Sequence, residues 1–117
     1  MIEQTVIDYL RGQMSVPVGP QIPDGPPASY CVVSKSGSDE RDGLRAALIA
    51  VRSCAPSMWE AMCLSNQVRN AMLRMREDVV NVFSARCSTE YENNSTAVKE
   101  CRYVAVFRVV YTERSNL

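Results

Sequence analysis

Apolar and polar positions change rhythm several times along this chain, and each rhythm predicts an element. At the start, Ile2, Val6, Tyr9, Leu10 and Met14 recur at spacings of three and four, and Ile7 widens the stripe. That spacing places one apolar face on a helix over roughly residues 2–12, with Gly12 weakening its end. The rhythm stops at Val16–Pro27, which holds five of the six prolines. Proline removes backbone donors and fixes φ, so the stretch predicts an extended edge segment with turns. Tyr30-Cys31-Val32-Val33-Ser34-Lys35 is short, β-branched and aromatic, as a strand should be. It gives way to the polar, glycine-bounded run Ser36–Gly43, which predicts a mobile surface loop: a solvated connection first, and second a loop that orders, and gains hydrogen-exchange protection, on a partner.

Leu44–Ser53 is apolar enough for either a helix or a strand buried on both faces. A strand is the better reading, because the run is short and a strong helix start follows at once. In Pro56-Ser57-Met58-Trp59-Glu60, Ser57 can cap the first-turn amides while Glu60 reaches back, the pattern of a capping box. The helix then runs to about Met75, with Met58, Ala61, Met62, Leu64, Val68, Ala71, Met72 and Met75 as its apolar stripe. Four of the six methionines lie here. Such a face packs a core or serves as an adaptable binding surface, and core packing is the expectation.

Val79–Cys87 predicts the next strand, Ser88–Thr96 a polar hairpin turn, and Cys101–Tyr111 a long final strand. In that last strand Cys101, Tyr103, Ala105, Phe107, Val109 and Tyr111 alternate with Arg102, Val104, Val106, Arg108, Val110 and Thr112. The first set points at a core and the second at a partly exposed face. The tail Glu113–Leu117 is expected to fray. Together these elements predict a single α+β domain over residues 1–117, with a mixed or antiparallel β-sheet and two α-helices packed on one face.

Composition narrows the function. Lys plus Arg equals 13 and Asp plus Glu equals 13, so the chain is formally neutral. A protein that held DNA through its phosphates would carry a basic excess. There are no histidines, which removes the commonest general base near neutral pH and the commonest metal ligand. Neither a GxxxxGK[ST] nor a GxGxxG phosphate loop occurs. Asp39, Glu40 and Asp42 cluster, but without the ligand alternation of a calcium loop and with Arg41 between them. Glu90 and Glu92 flank Tyr91, and nothing requires them to act as an acid pair. No catalytic residue, cofactor or metal is therefore expected, and the chain reads as a non-enzyme.

The cysteines, at 31, 54, 63, 87 and 101, are odd in number and contain no CxxC pair. Buried, reduced thiols of a cytoplasmic protein are the expectation. No signal peptide is visible at Met1-Ile2-Glu3-Gln4-Thr5, and no apolar run approaches the ~20 residues of a membrane span. The two overlapping glycosylation patterns in Asn93-Asn94-Ser95-Thr96 read as a coincidence of a polar turn.

The order of segments also resembles a known family. An amphipathic helix precedes a proline-rich stretch ending in Pro27-Ala28-Ser29-Tyr30-Cys31-Val32-Val33. A polar loop and strand follow, then a helix with Ser65-Asn66-Gln67-Val68-Arg69-Asn70-Ala71-Met72, and a closing strand Tyr103-Val104-Ala105-Val106-Phe107-Arg108-Val109-Val110-Tyr111. Over nearly its whole length the chain resembles the tail-terminator and minor tail, or tail-completion, proteins of long-tailed bacteriophages. The resemblance lies in layout and length rather than in fixed motifs.

The resemblance implies a ring homo-oligomer, commonly a hexamer, on the head-proximal end of the tail tube. Such a ring ends tube polymerisation and presents a surface to the head–tail connector proteins. Its partners would be copies of itself, the tail tube protein and the connector. DNA would only pass through the channel, and no membrane is involved. The location would be the virion tail, assembled in the host cytoplasm. By this analogy the loop residues Lys35, Asp39, Glu40, Arg41, Asp42 and Arg45 contact a neighbouring subunit or the tube. A head–tail connector (neck) protein is the nearest alternative. A cytoplasmic ligand-binding or regulatory domain using the Met-rich helix is the alternative from another class.

Overall fold

The helix expected at the start forms over Ile2–Gln13 (α1), and it buries Ile2, Val6, Ile7 and Leu10. The computed structural model describes residues 1–94 and 100–112. Glu3 in the first turn and Arg11 in the last complement the helix dipole. Arg11 Nε also donates to the Val18 carbonyl at 2.8 Å, which turns the chain into a two-residue edge strand, Val18–Gly19 (β1). Pro17 and Pro20 flank β1 and donate nothing, so the ladder can be no longer. The extended edge segment expected from the prolines is thus present in its shortest form.

Four long strands follow the edge: Tyr30–Arg41 (β2), Leu44–Ala55 (β3), Val82–Glu92 (β4) and Cys101–Tyr111 (β5). Their order across the sheet is β1-β2-β3-β5-β4, with β1 parallel to β2 and the other pairs antiparallel. The sheet is therefore mixed. β5 lies inside it, between β3 and β4, and pairs with β3 in unbroken register from Arg45↔Tyr111 to Ala55↔Cys101.

Between β3 and β4 the chain forms Met58–Leu73 (α2) and a single turn Met75–Asp78 (α3). Half of the expected capping box forms: Ser57 Oγ accepts from the Glu60 amide at 3.2 Å, while the Glu60 carboxylate accepts from the Ser57 hydroxyl at 2.9 Å rather than from the Ser57 amide. The helix expected to run to Met75 stops earlier, because Arg74 (φ −98°, ψ 0°) leaves helical geometry. The strand expected from Val79 begins three residues later, at Val82. Val79 instead closes α3 by donating to the Met75 carbonyl at 2.9 Å.

The helices pack on one face of the sheet. Phe107, Val109, Ile49 and Val51 from the strands meet Leu10, Val68, Met72 and Met75 from the helices in one buried cluster. Each large apolar side chain so removed from water contributes about 1.5–3 kcal/mol. Tyr9 joins α1 to α2, donating to the Ala71 carbonyl at 2.6 Å. The alternation expected for the last strand holds from Ala105 onward, where Ala105, Phe107, Val109 and Tyr111 are buried on the helix side; before it Cys101 and Tyr103 are only half-buried, and Val104 of the other set is buried.

Two expected turns are replaced by strand. Ser36–Gly43 is not a loop: β2 continues to Arg41 and pairs with β3, and only Asp42 and Gly43 turn. Likewise β4 runs on to Glu92 through most of the turn expected at Ser88–Thr96. Ser95 and Thr96 lie outside the described residues, as does the tail Glu113–Leu117. In both cases the backbone completes its ladder although the side chains are polar, because both faces of these strand ends are open to water.

Candidate functional site

Three bulges decide which side chains face outward. The extra residues are Ser36 in β2 and Phe83 and Ser88 in β4, at the register shifts of those ladders. Before Ser36, Lys35 shares the helix side with its partner Ile49; after it, Asp39 and Arg41 face the open side beside Ala46 and Leu44. An extra residue exchanges the two faces of every position beyond it.

The six residues expected at an interface are thereby separated. Lys35 turns toward α1 and forms an ion pair with Glu3, 3.8 Å, so it belongs to the helix–sheet junction. Asp39 and Arg41 stand on the open sheet face. Glu40 and Arg45 are cross-strand partners whose charged atoms lie 3.9 Å apart, a pair exposed enough to contribute little stability. Asp42 occupies the turn with a positive φ of 54°. The hairpin end thus collects Asp39, Glu40, Arg41, Asp42 and Arg45, and leaves Lys35 out. The three acids diverge, and among the described residues no three His, Cys, Asp or Glu side chains converge as they would around a metal ion.

Apolar side chains that sequence reasoning passed over complete this end of the molecule. Leu44 is 43% exposed and Phe83 51%, and both line an open cleft of about 780 Å³ together with Glu40, Asp42, Gly43 and Arg45. Phe83 is turned out by its bulge, which no local pattern in the sequence announces.

Among the described residues no helix covers the opposite face of the sheet. Successive rows across β2, β3, β5 and β4 read Val32-Arg52-Val104-Tyr91, Ser34-Ala50-Val106-Thr89 and Gly37-Leu48-Arg108-Arg86. The face is apolar along its middle and basic toward β4. Arg86 and Arg108 are direct cross-strand partners, and neither forms an ion pair among the described residues. Like charges placed directly opposite destabilise a ladder. Arg52 adds a buried Nε with no acceptor among the described residues. Residue spacing in the final strand did indicate a half-polar face, but the pairing with Arg86 depends on the register of a bulged strand.

At the far end of this face sits a buried polar cluster. Tyr30 donates to the Glu100 carboxylate, 2.9 Å from each oxygen, and Arg102 reaches Glu100 Oε1 with Nε and a terminal nitrogen, both at 3.1 Å. Burial, and then the hydrogen bond to Glu100, pushes the Tyr30 hydroxyl well above its ordinary range. Burial likewise raises Cys54, and pushes the Cys31 thiol up to about 11. These groups stay protonated at neutral pH, which leaves the two thiols poor nucleophiles. Cys31 and Cys54 fit the expectation of buried thiols, and Cys87 and Cys101 are half-buried. Cys63 departs from it, lying exposed on the outer side of α2 near Trp59 and Met62.

The Met-rich helix divides in the same way. Met72 and Met75 are fully buried, while Met62 is exposed and Met58 intermediate. Only the first turns of α2 therefore offer methionine to a partner. Among the described residues no helix is long and apolar enough to cross a membrane. No protein-family model matches this chain, and no curated protein matches it significantly.

Proposed function

We propose that this chain is a structural assembly subunit of the tail-terminator kind, one copy in a ring that caps the head-proximal end of a phage tail tube. The observation that carries the reading is the β2–β3 hairpin. From Ser34 to Arg41 the outer strand is open to water on both sides, except for the half-buried Gly37, and it ends in alternating charges beside Leu44. A long arm of that kind gives a monomer no core. It does supply contact area, registered charges and an unpaired strand edge to a neighbour. The uncovered sheet face argues in the same direction, and the layout of helix, proline-rich edge, sheet and helix supports the resemblance drawn from sequence.

In this reading the partners are further copies of the chain, the tail tube and the connector. The test is the solution mass by light scattering across concentration, with negative-stain images, alone and with tail tubes. A closed ring, or a monomer that becomes a ring on tubes, is expected. A monomer that binds neither tubes nor connectors overturns the proposal, and a monomer that docks only on connectors assigns it to the neck instead.

A further inference from the structure

We propose that the basic patch formed by Arg86 and Arg108 on the open sheet face is the dock for the acidic β2–β3 hairpin tip, Asp39, Glu40 and Asp42, of a second copy of this chain. The inference rests on the assembly reading above and names the surfaces that carry it.

The chain is neutral overall, with 13 basic and 13 acidic residues, yet Arg86 and Arg108 form a basic pair, while the hairpin tip sets three acids among Arg41 and Arg45, with Glu40 already beside Arg45, and is left net acidic. The arginines face each other across the β4–β5 ladder without a carboxylate among the described residues. Asp39 shares a depression of about 270 Å³ with Arg108 in the same chain, but no ion pair joins them. A monomer thus bears the cost of two apposed guanidinium groups, and a carboxylate arriving from outside would relieve it.

Shape and polarity agree with charge. Besides Asp39, that depression is lined by the small residues Gly37, Ala46 and Ala47 and by Leu48 and Arg108. Beside it, Val106 and Val110 are only half-buried. The tip itself pairs acids with an exposed Leu44, so an apolar and acidic element meets an apolar and basic surface. Tip and dock adjoin on one face, Asp39 and Arg108 lining the same depression, but they are distinct surfaces. A contact repeated in one direction leaves one free tip and one free dock for the next copy. Rotation that closes such a contact gives a ring.

The test compares three variants of the full chain with the wild type, reading assembly by light scattering and folding by thermal melts. Arg86→Thr/Arg108→Thr is expected to keep or raise Tm while the concentration needed for assembly rises by at least about tenfold. Asp39→Lys/Asp42→Lys is expected to weaken assembly likewise. A chain carrying Asp39→Lys/Asp42→Lys with Arg86→Glu/Arg108→Glu is expected to assemble again, because the swap restores opposite charges across the contact. Unchanged assembly in the two single-surface variants overturns the dock while leaving the ring reading in place. Failure of the swap to restore assembly overturns the hairpin tip as occupant. Loss of duplex DNA binding by the arginine variant with assembly intact overturns it in favour of a phosphate-binding face. A wild type that never assembles, alone or on tubes, overturns both readings.

Discussion

The hydroxyl of Tyr30 donates into the carboxylate of Glu100, 2.9 Å from both oxygens, across 70 residues of chain. Tyr30 opens β2 and Glu100 immediately precedes β5, two strands separated in the sheet by β3. The bond therefore clamps the base of the sheet across its width. Removing the hydroxyl leaves Glu100 with Arg102 but without its buried donor. Tyr30→Phe should cost about 1.5–3 kcal/mol, the usual range for a hydrogen bond to a charged group. Urea unfolding should show this as a lower midpoint with an unchanged slope, and an unchanged midpoint would deny the clamp a stabilising role.

Alkaline pH should unfold the protein through the same region. Cys31, Cys54, Tyr9 and Tyr30 all hold their protons more tightly in the folded state, chiefly because burial disfavours the anion. Their ordinary values are 9.0 for the thiols and 10.0 for the phenols. Above those values the unfolded chain has lost protons that the folded chain keeps, so stability falls as pH rises. The contribution is complete below pH 9.0, and the Cys31 share is lost as pH climbs to about 11. A series of urea midpoints should decline from about pH 9 upward, and Tyr30→Phe should flatten the part above pH 10. A midpoint that held steady to pH 11 would contradict these assignments.

The tip of the β2–β3 hairpin depends on Gly43. Asp42 and Gly43 both have positive φ, 54° and 82°, as a two-residue hairpin turn requires to match the twist of its strands. Nothing lies within 4 Å of a side chain built on Gly43, so the cost of Gly43→Ala is conformational alone. It should be about 1 kcal/mol, while Asp42→Gly should be neutral or slightly stabilising. Hydrogen exchange in Gly37–Leu48 should accelerate in the Gly43 variant. Equal exchange would mean that the strands, not the turn, fix the hairpin.

That turn also explains what the sequence could and could not convey. Asp42-Gly43 between two runs of strand is a strong hairpin signal, but the polar run before it hid the signal by resembling a loop. Ser36–Arg41 has no apolar alternation because neither side of it is covered, and periodicity reports burial rather than backbone pairing. The final strand was legible for the opposite reason: it lies inside the sheet, paired on both sides, and alternate residues meet the helices. The helix at Ser57 was legible because its cap is local chemistry. The facing of Arg86 and Phe83 was not, since a bulge reverses faces without leaving a periodic trace. Lys35 stands apart from Asp39 and Arg41 because one such bulge, at Ser36, falls between them.

Met62 and Met72 separate the two uses of a methionine-rich helix. They lie ten positions apart on α2, and Met72 is wholly buried against the sheet whereas Met62 is 42% exposed. Truncating Met72 to alanine leaves a cavity that close-packed neighbours such as Val68 and Phe107 fill only in part, so it should cost about 2–5 kcal/mol. Met62→Ala removes a side chain still partly in water, and should change stability by no more than about 0.5 kcal/mol. Thermal and urea unfolding of the two variants measure this contrast directly. A ligand-binding role for the helix would show differently: Met62→Ala would abolish binding of an apolar probe that the wild type takes up, with stability unchanged. If the wild type takes up no such probe, and only Met72 matters to unfolding, the methionines of this helix serve the core.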